Sequence, residues 1–183
     1  MKFLGTILTS AAVVVAFTAC THAPSPGPGR FRLPDPYLIA TDFDEKQAQD
    51  LLRPGENSIR GSALIRQGGG GVVTCAGGRV SLIPATQYAN ERMAGQFPAM
   101  HDERGFSRKI YLQFDPDEPA YGQLMRHTSC DAQGFFDFQN VADGTFYLKT
   151  AISWRVADQE QGGLLVHRVT LKHREKATIV LAP

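Results

Sequence analysis

The stretch from Arg126 to Thr150 constrains the fold most, because it combines tight-turn chemistry with strand-like alternation. Asp131 and Gly134 supply the first turn, since an aspartate can bond its own backbone and a glycine can adopt a positive φ. Phe136 and Phe138 then alternate with polar residues, which is the period-two pattern of a half-buried strand. The stretch therefore predicts strand, turn, strand, turn and strand in succession.

A second turn from Asn140 to Gly144 leads into a long strand. One face of this strand carries the apolar residues Phe146, Leu148, Ile152, Trp154 and Val156. The opposite face carries Tyr147, Lys149, Ser153 and Arg155. The 18 glycines and 11 prolines are dispersed among short apolar runs, as is typical of an all-β domain with many turns.

The same stretch resembles the signature of the carboxypeptidase regulatory-like domains, a family of small transthyretin-like β-sandwiches. The signature positions are Asp131, Gly134, Phe136, Phe138, Val141, Gly144, Phe146 and Leu148. A weaker match to the first strands of that family spans 59–61 and 80–82. The resemblance implies a single prealbumin-like Greek-key β-sandwich of about seven strands. It implies little about function, because this fold serves many tasks.

The predicted sandwich runs from residue 58 to residue 183. Residues 85–121 form an insertion with a helix near its start, expected to lie across one edge of the sandwich. Residues 37–57 form a lead-in with one short helix from about Asp42 to Arg53, which ends at Pro54-Gly55. Residues 158–163 are expected to form a polar turn before the next strand.

The N-terminal residues 1–20 have the pattern of an export signal. Lys2 precedes an apolar run from Phe3 to Phe17, and small residues follow. A helix of that length would span roughly 22 Å, short of the ~30 Å hydrocarbon core of a bilayer. Residues 21–36 are rich in proline, glycine and serine and predict an extended tether.

Phe17-Thr18-Ala19-Cys20 resembles a bacterial lipobox, in which the cysteine becomes the acylated first residue. The resemblance implies a membrane partner through lipidated Cys20. The absence of an aspartate next to Cys20 implies an outer-membrane lipoprotein that faces the periplasm. The alternative is an ordinary signal peptide that contains an incidental cysteine.

The count of three cysteines is odd for an exported protein. If Cys20 is acylated, Cys75 and Cys130 remain as a pair. We expect them to form a disulfide in an oxidising compartment. The alternative is two separate buried thiols, which are common in protein cores.

The formal net charge of +1 lacks the basic footprint of a nucleic-acid-binding protein. The favoured function is a non-catalytic envelope module that binds a protein, a glycan or another envelope component, or that braces a larger assembly. Tyr88, Tyr111 and Tyr121 are its candidate contacts, because aromatic residues often anchor interfaces. No cofactor or metal is expected.

The alternative function is a hydrolase or a metal-dependent enzyme with its site on the 85–121 insertion. That segment concentrates the ionisable residues Arg92, His101, Asp102, Glu103, Arg104, Asp115 and Asp117. A catalytic site requires such groups to converge in a concave pocket. The chain contains none of the G-x-S-x-G, H-E-x-x-H or C-x-x-C motifs.

Overall fold

A computed structural model describes residues 35–108 and 112–183 of the chain. The predicted export signal, Cys20, Tyr111 and all but the last two residues of the tether lie outside these ranges. Eleven strands and three helices occur in the described residues, which confirms an all-β fold with short helices. No described helix is both long enough and apolar enough to cross a membrane.

The elements follow one another in a mixed order, with the helices between strands. The strands are β1 (Tyr37–Leu38), β2 (Asn57–Arg66), β3 (Val72–Thr74), β4 (Arg79–Pro84), β5 (Arg104–Ser107), β6 (Phe114–Asp115), β7 (Arg126–Ser129), β8 (Phe135–Val141), β9 (Gly144–Val156), β10 (Gln159–Leu171) and β11 (Lys176–Leu181). The helices are α1 (Glu45–Leu52), α2 (Gln87–Gln96) and α3 (Pro119–Gln123). The count exceeds the predicted seven partly because β1 and β6 are two-residue strands.

Two sheets make the sandwich in the described part of the chain. The first has the strand order β5-β10-β9-β4-β7. The second has the order β11-β2-β3, and β8 also pairs with β2. The short strands β1 and β6 pair separately and in parallel.

The signature stretch carries the chain from one sheet to the other and back. β7 and β9 belong to the first sheet and β8 to the second, so each predicted turn is a crossing between sheets. In the first turn, an Asp131 carboxylate oxygen accepts the backbone N–H groups of Gln133 and Phe135, both at 2.9 Å. Gly134 has a φ of 88°, and a Cβ there would lie 2.6 Å from the Thr74 side chain. The turn therefore requires glycine at this position on two separate grounds.

The main core lies between the two sheets. Its buried members from the second sheet include Ile59, Phe136 and Phe138. Those from the first sheet include Leu82, Phe146, Leu148, Ile152, Leu165 and Leu171. Phe136, Phe138, Phe146, Leu148 and Ile152 are buried as alternation predicted. Val156, predicted on the same face of β9, is instead 56% exposed, because the strand extends past the core.

A second core lies on the outer face of the first sheet, where α2 packs. Tyr147 and Val166 of the sheet are buried there with Tyr88, Met93 and Phe97. The insertion was expected at one edge of the sandwich, but α2 instead covers a face of the first sheet. The apolar side chains of α2 are buried against this face, because β9 and β10 carry buried residues on both of their faces.

The predicted turn at 158–163 is wrong, because β10 of the β9–β10 hairpin begins at Gln159. Both strands have thirteen residues and pair along their whole length, from Gly144 opposite Leu171 to Val156 opposite Gln159. The turn consists only of Ala157 and Asp158, and Ala157 takes a φ of 51°. The glycines that suggested a turn therefore lie inside β10.

Cys75 and Cys130 form a disulfide next to the first crossing between the sheets. Their Cα atoms lie 5.8 Å apart, inside the usual range for a disulfide. Cys75 follows β3 of the second sheet and Cys130 follows β7 of the first. Gly77 and Gly78 also bond to the backbone of Cys130. The pair expected from cysteine parity thus links the ends of strands from different sheets.

We expect replacement of both Cys75 and Cys130 by alanine to lower the free energy of unfolding by about 2–4 kcal/mol. The bond spans 55 residues of sequence and so restricts the unfolded chain. Urea denaturation of the oxidised wild type and of the double variant measures the difference. The reduced wild type is the control and should resemble the variant. Equal stability of all three proteins would contradict the structural role of this bond.

Candidate functional site

A groove lies at the end of the sandwich where β2 turns into β3, β5 ends and β9 turns into β10. Its volume is about 780 Å³, within the ~300–1,000 Å³ typical of ligand pockets. Its lining residues come from four separate parts of the chain and include the C-terminal residue. They are Ile65, Arg66, Gln67, Gly68, Phe106, Arg108, Trp154, Glu160, Gln161, Gly162 and Pro183.

Trp154 provides the largest aromatic surface of the groove and is the single tryptophan of the chain. It lies on β9 two residues beyond Ile152, the last buried residue of that strand. The two side chains share the inward face, so the indole packs partly against the main core and partly lines the groove. No described residue forms a hydrogen bond with the indole N–H, which leaves this donor for a ligand.

Phe106 and Gly163 form a tightly packed contact beside Trp154. β5 adds to the edge of the first sheet, where Phe106 lies opposite Leu165 of β10. A Cβ at position 163 would lie 2.7 Å from the Phe106 ring and 2.4 Å from the Ser107 carbonyl oxygen. Only glycine at position 163 therefore lets β5 approach this closely.

Besides the apolar Ile65 and Pro183, five polar or charged residues line the rest of the groove. They are Arg66, Gln67, Arg108, Glu160 and Gln161. The side chains of these five residues form no hydrogen bond or ion pair with the described part of the chain. An aromatic surface surrounded by unpaired amide, guanidinium and carboxylate groups suits a ligand with both apolar C–H faces and many hydroxyl groups.

Two of the three tyrosines proposed as contacts, Tyr88 and Tyr121, are buried and do not form a binding surface. Tyr88 is 1% exposed and Tyr121 is 6% exposed. They do cluster, with ring centroids 5.3 Å apart, but under the insertion and in contact with Phe43. Tyr111 lies outside the described residues. Sequence reasoning missed the groove, although a lone tryptophan near the end of a long strand was a usable signal.

Arg92 organises the buried aromatic cluster. Its guanidinium carbon lies 4.0 Å from the centroid of the Phe114 ring and 4.7 Å from that of Tyr121. It also pairs with the Asp117 carboxylate and donates to the Tyr88 hydroxyl. The side chain is thus committed to holding the α2 and α3 segments together.

The other ionisable residues of the insertion do not converge on one point. The His101 and Arg104 backbones bond each other in a tight turn. Glu103 pairs with Arg168 of β10. Within the described ranges, no group of three His, Cys, Asp or Glu residues is placed to hold a metal ion. The geometry therefore offers no support for a site built from His101, Asp102, Glu103, Arg104, Asp115 and Asp117.

A row of three polar side chains crosses the outer face of the first sheet. Ser81 of β4 lies opposite His127 of β7 on one side and Lys149 of β9 on the other. The Ser81 Oγ is 3.1 Å from His127 Nδ1. Burial, with a smaller contribution from Arg92, lowers the pKa of Lys149. None of the three lines the groove, and no described carboxylate bonds His127 to orient it as a base.

Comparison with known proteins supports the fold. No protein-family model and no curated protein matches the sequence. Among solved structures, the chain is similar to the crystal structure of a "putative carbohydrate binding protein" from Pseudomonas aeruginosa, with a TM-score of 0.61. The two chains share 21% sequence identity over 78% of this chain and 99% of the other. At this identity the likeness shows a shared fold.

We expect Lys149→Met to raise the free energy of unfolding at pH 7 by on the order of 1 kcal/mol, because it removes a partly buried charge that has no carboxylate partner among the described residues. The pKa of Lys149 is lower in the folded state, so the unfolded state binds the proton more tightly. The wild type should therefore gain stability as the pH rises toward the ordinary lysine value of 10.5.

Urea denaturation at pH 7 and at pH 10 measures the free energy of unfolding of Lys149→Met and of the wild type. The gap between the two free energies should be smaller at pH 10. Arg155→Met is the matched control, since Arg155 is an exposed cation on the same strand and face. A loss of stability in Lys149→Met at pH 7 would show that the ammonium group has a favourable partner.

Proposed function

We propose that residues 58–183 form a non-catalytic glycan-binding module of an exported, lipid-anchored envelope protein. The observation that carries this proposal is the groove, in which the single tryptophan lies among polar side chains without partners in the described part of the chain. Sugar rings present C–H faces that pack on an aromatic surface and hydroxyl groups that bond to polar side chains. Trp154 is the proposed platform, and Gln67 and Gln161 are the proposed hydroxyl-binding groups.

The position of the groove supports binding rather than chemistry. Among the described residues, the side chains that line it include one carboxylate, that of Glu160, and no histidine, cysteine or serine. A glycosidase of the usual kind requires two carboxyl groups that flank the scissile bond. The groove therefore offers recognition groups without the pair that such hydrolysis needs.

The similar Pseudomonas aeruginosa structure is consistent with this proposal, because that protein is called a "putative carbohydrate binding protein". The carboxypeptidase regulatory-like resemblance of the signature stretch remains our proposed family placement. The proposed domain organisation is the one expected from sequence: a lipoprotein signal at 1–20, a tether at 21–36, a helical lead-in at 37–57 and the sandwich at 58–183 with its insertion at 85–121.

The proposed location is the periplasmic face of the outer membrane, where acylated Cys20 would anchor the protein. The disulfide between Cys75 and Cys130 supports an oxidising compartment. A tether before the module would keep the groove clear of the lipid surface.

Binding can be measured directly, because Trp154 is the only tryptophan and its fluorescence reports on the groove. A panel of neutral and acidic oligosaccharides, including cell-wall fragments, is titrated against the full protein. We expect at least one to give a saturable change in emission. In calorimetry, Trp154→Ala should bind that ligand about tenfold more weakly, or worse, because buried aromatic anchors dominate such contacts.

The matched control is Phe135→Ala, which removes an aromatic residue that is 55% exposed and lies on β8 outside the groove. This variant should bind like the wild type. If no glycan in the panel binds, or if Trp154→Ala binds as well as the wild type, the proposed function is wrong.

The anchor is tested by intact-mass analysis of protein from the membrane fraction. We expect a chain that begins at Cys20 and carries acyl chains, since several chains hold a protein stably where one holds it weakly. Cys20→Ser should abolish the added mass and release the protein from the membrane. A soluble, unmodified wild type that starts after Ala19 would contradict lipidation.

A further inference from the structure

We propose that the groove selects acidic glycans, with Arg66 and Arg108 binding the carboxylates of successive or branched uronic acid residues. This inference rests on the proposed glycan-binding function and names its ligand class. It is carried by two arginines that line one groove and have no partner in the described part of the chain.

Arg66 and Arg108 reach the groove from different sheets. Arg66 is the last residue of β2, and Arg108 directly follows β5. Both are exposed, and neither side chain forms a hydrogen bond or ion pair with a described residue. Four of the eleven described arginines are paired with carboxylates: Arg53 with Asp50, Arg92 with Asp117, Arg168 with Glu103 and Arg174 with Glu56. Within the described residues, the two groove arginines have no carboxylate partner and are available to a ligand.

Guanidinium groups suit this ligand chemistry. The planar fork of an arginine donates two parallel hydrogen bonds to one carboxylate, and such charge-assisted bonds are about twice as strong as neutral ones. A neutral sugar offers hydroxyl groups and would use only part of this capacity. Two guanidinium groups beside one aromatic surface therefore favour a sugar that carries a carboxylate near the ring face stacked on Trp154.

Glu160 is the one acidic side chain among the described lining residues, and it forms no ion pair with a described residue. The charged side chains of the described lining are therefore two arginines and one glutamate, so their balance is positive through Arg66 and Arg108.

The test compares two probes with one sugar backbone. An oligogalacturonate and its fully methyl-esterified form share one sugar backbone, but each charged carboxylate of the first is a neutral methyl ester in the second. Binding to the full-length protein is followed by Trp154 fluorescence and by calorimetry. We expect the acid form to bind at least about tenfold more tightly at low salt, and this preference to shrink in 0.5 M NaCl because exposed charges are screened.

Four variants assign the preference to the groove. Arg66→Gln and Arg108→Gln should each weaken binding of the acid form about tenfold, as expected for loss of a charge-assisted hydrogen bond. Neither variant should change the affinity for the ester much. Glu160→Gln should strengthen binding of the acid form about twofold to fivefold, because it removes a charge of the same sign as the carboxylates of the ligand. Arg60→Gln is the matched control, because Arg60 is exposed on β2 outside the groove.

The outcomes separate this inference from the proposed function. Equal binding of the acid and the ester, tighter binding of the ester, or an Arg60→Gln loss as large as that of Arg66→Gln would overturn acidic selection while glycan binding stands. Binding of neither probe, with a neutral panel sugar still bound, would overturn it as well. If no glycan binds at all, the proposed function fails and this inference fails with it.

Discussion

The fold depends on the burial of both faces of β9. Its inward side chains, among them Phe146 and Leu148, pack against the second sheet, while Tyr147 packs under α2. A strand with one solvent-exposed face would need only the two layers of a sandwich to bury its other face. Because the outer face of β9 is buried at Tyr147, the domain needs a covering layer over this part of the strand, and the insertion supplies it.

The same strand also accounts for the position of the groove. β9 is longer than the core that it helps to form, so its last residues extend past the layer of buried side chains. Ile152 is the final buried residue, and Trp154 is only partly covered. The tryptophan thus needs no special loop to reach solvent. An aromatic residue at the end of an overlong strand becomes a surface with a rigid base, which limits the entropy lost when a ligand binds.

Local sequence chemistry predicted part of the fold well. Asp131 and Gly134 indicated a turn that the structure shows, because their roles depend only on neighbouring backbone. The burial of Tyr88 was not predictable in this way, since it depends on where α2 docks. Gly163 was misassigned to a turn because its role is to admit Phe106, a residue distant in sequence. The groove was missed for the same reason: it joins segments that only the folded sheets bring together.

The short strand β5 has a consequence for solubility. β10 would otherwise expose a long ladder of unpaired backbone groups, which is a template for association with other chains. β5 pairs with β10 from Leu164 to His167, and the Glu103 carbonyl oxygen accepts the next free N–H, that of Arg168. Four residues and one carbonyl thus block the middle of the exposed edge. Molecules displayed side by side at high density would gain resistance to edge-to-edge pairing from this small addition.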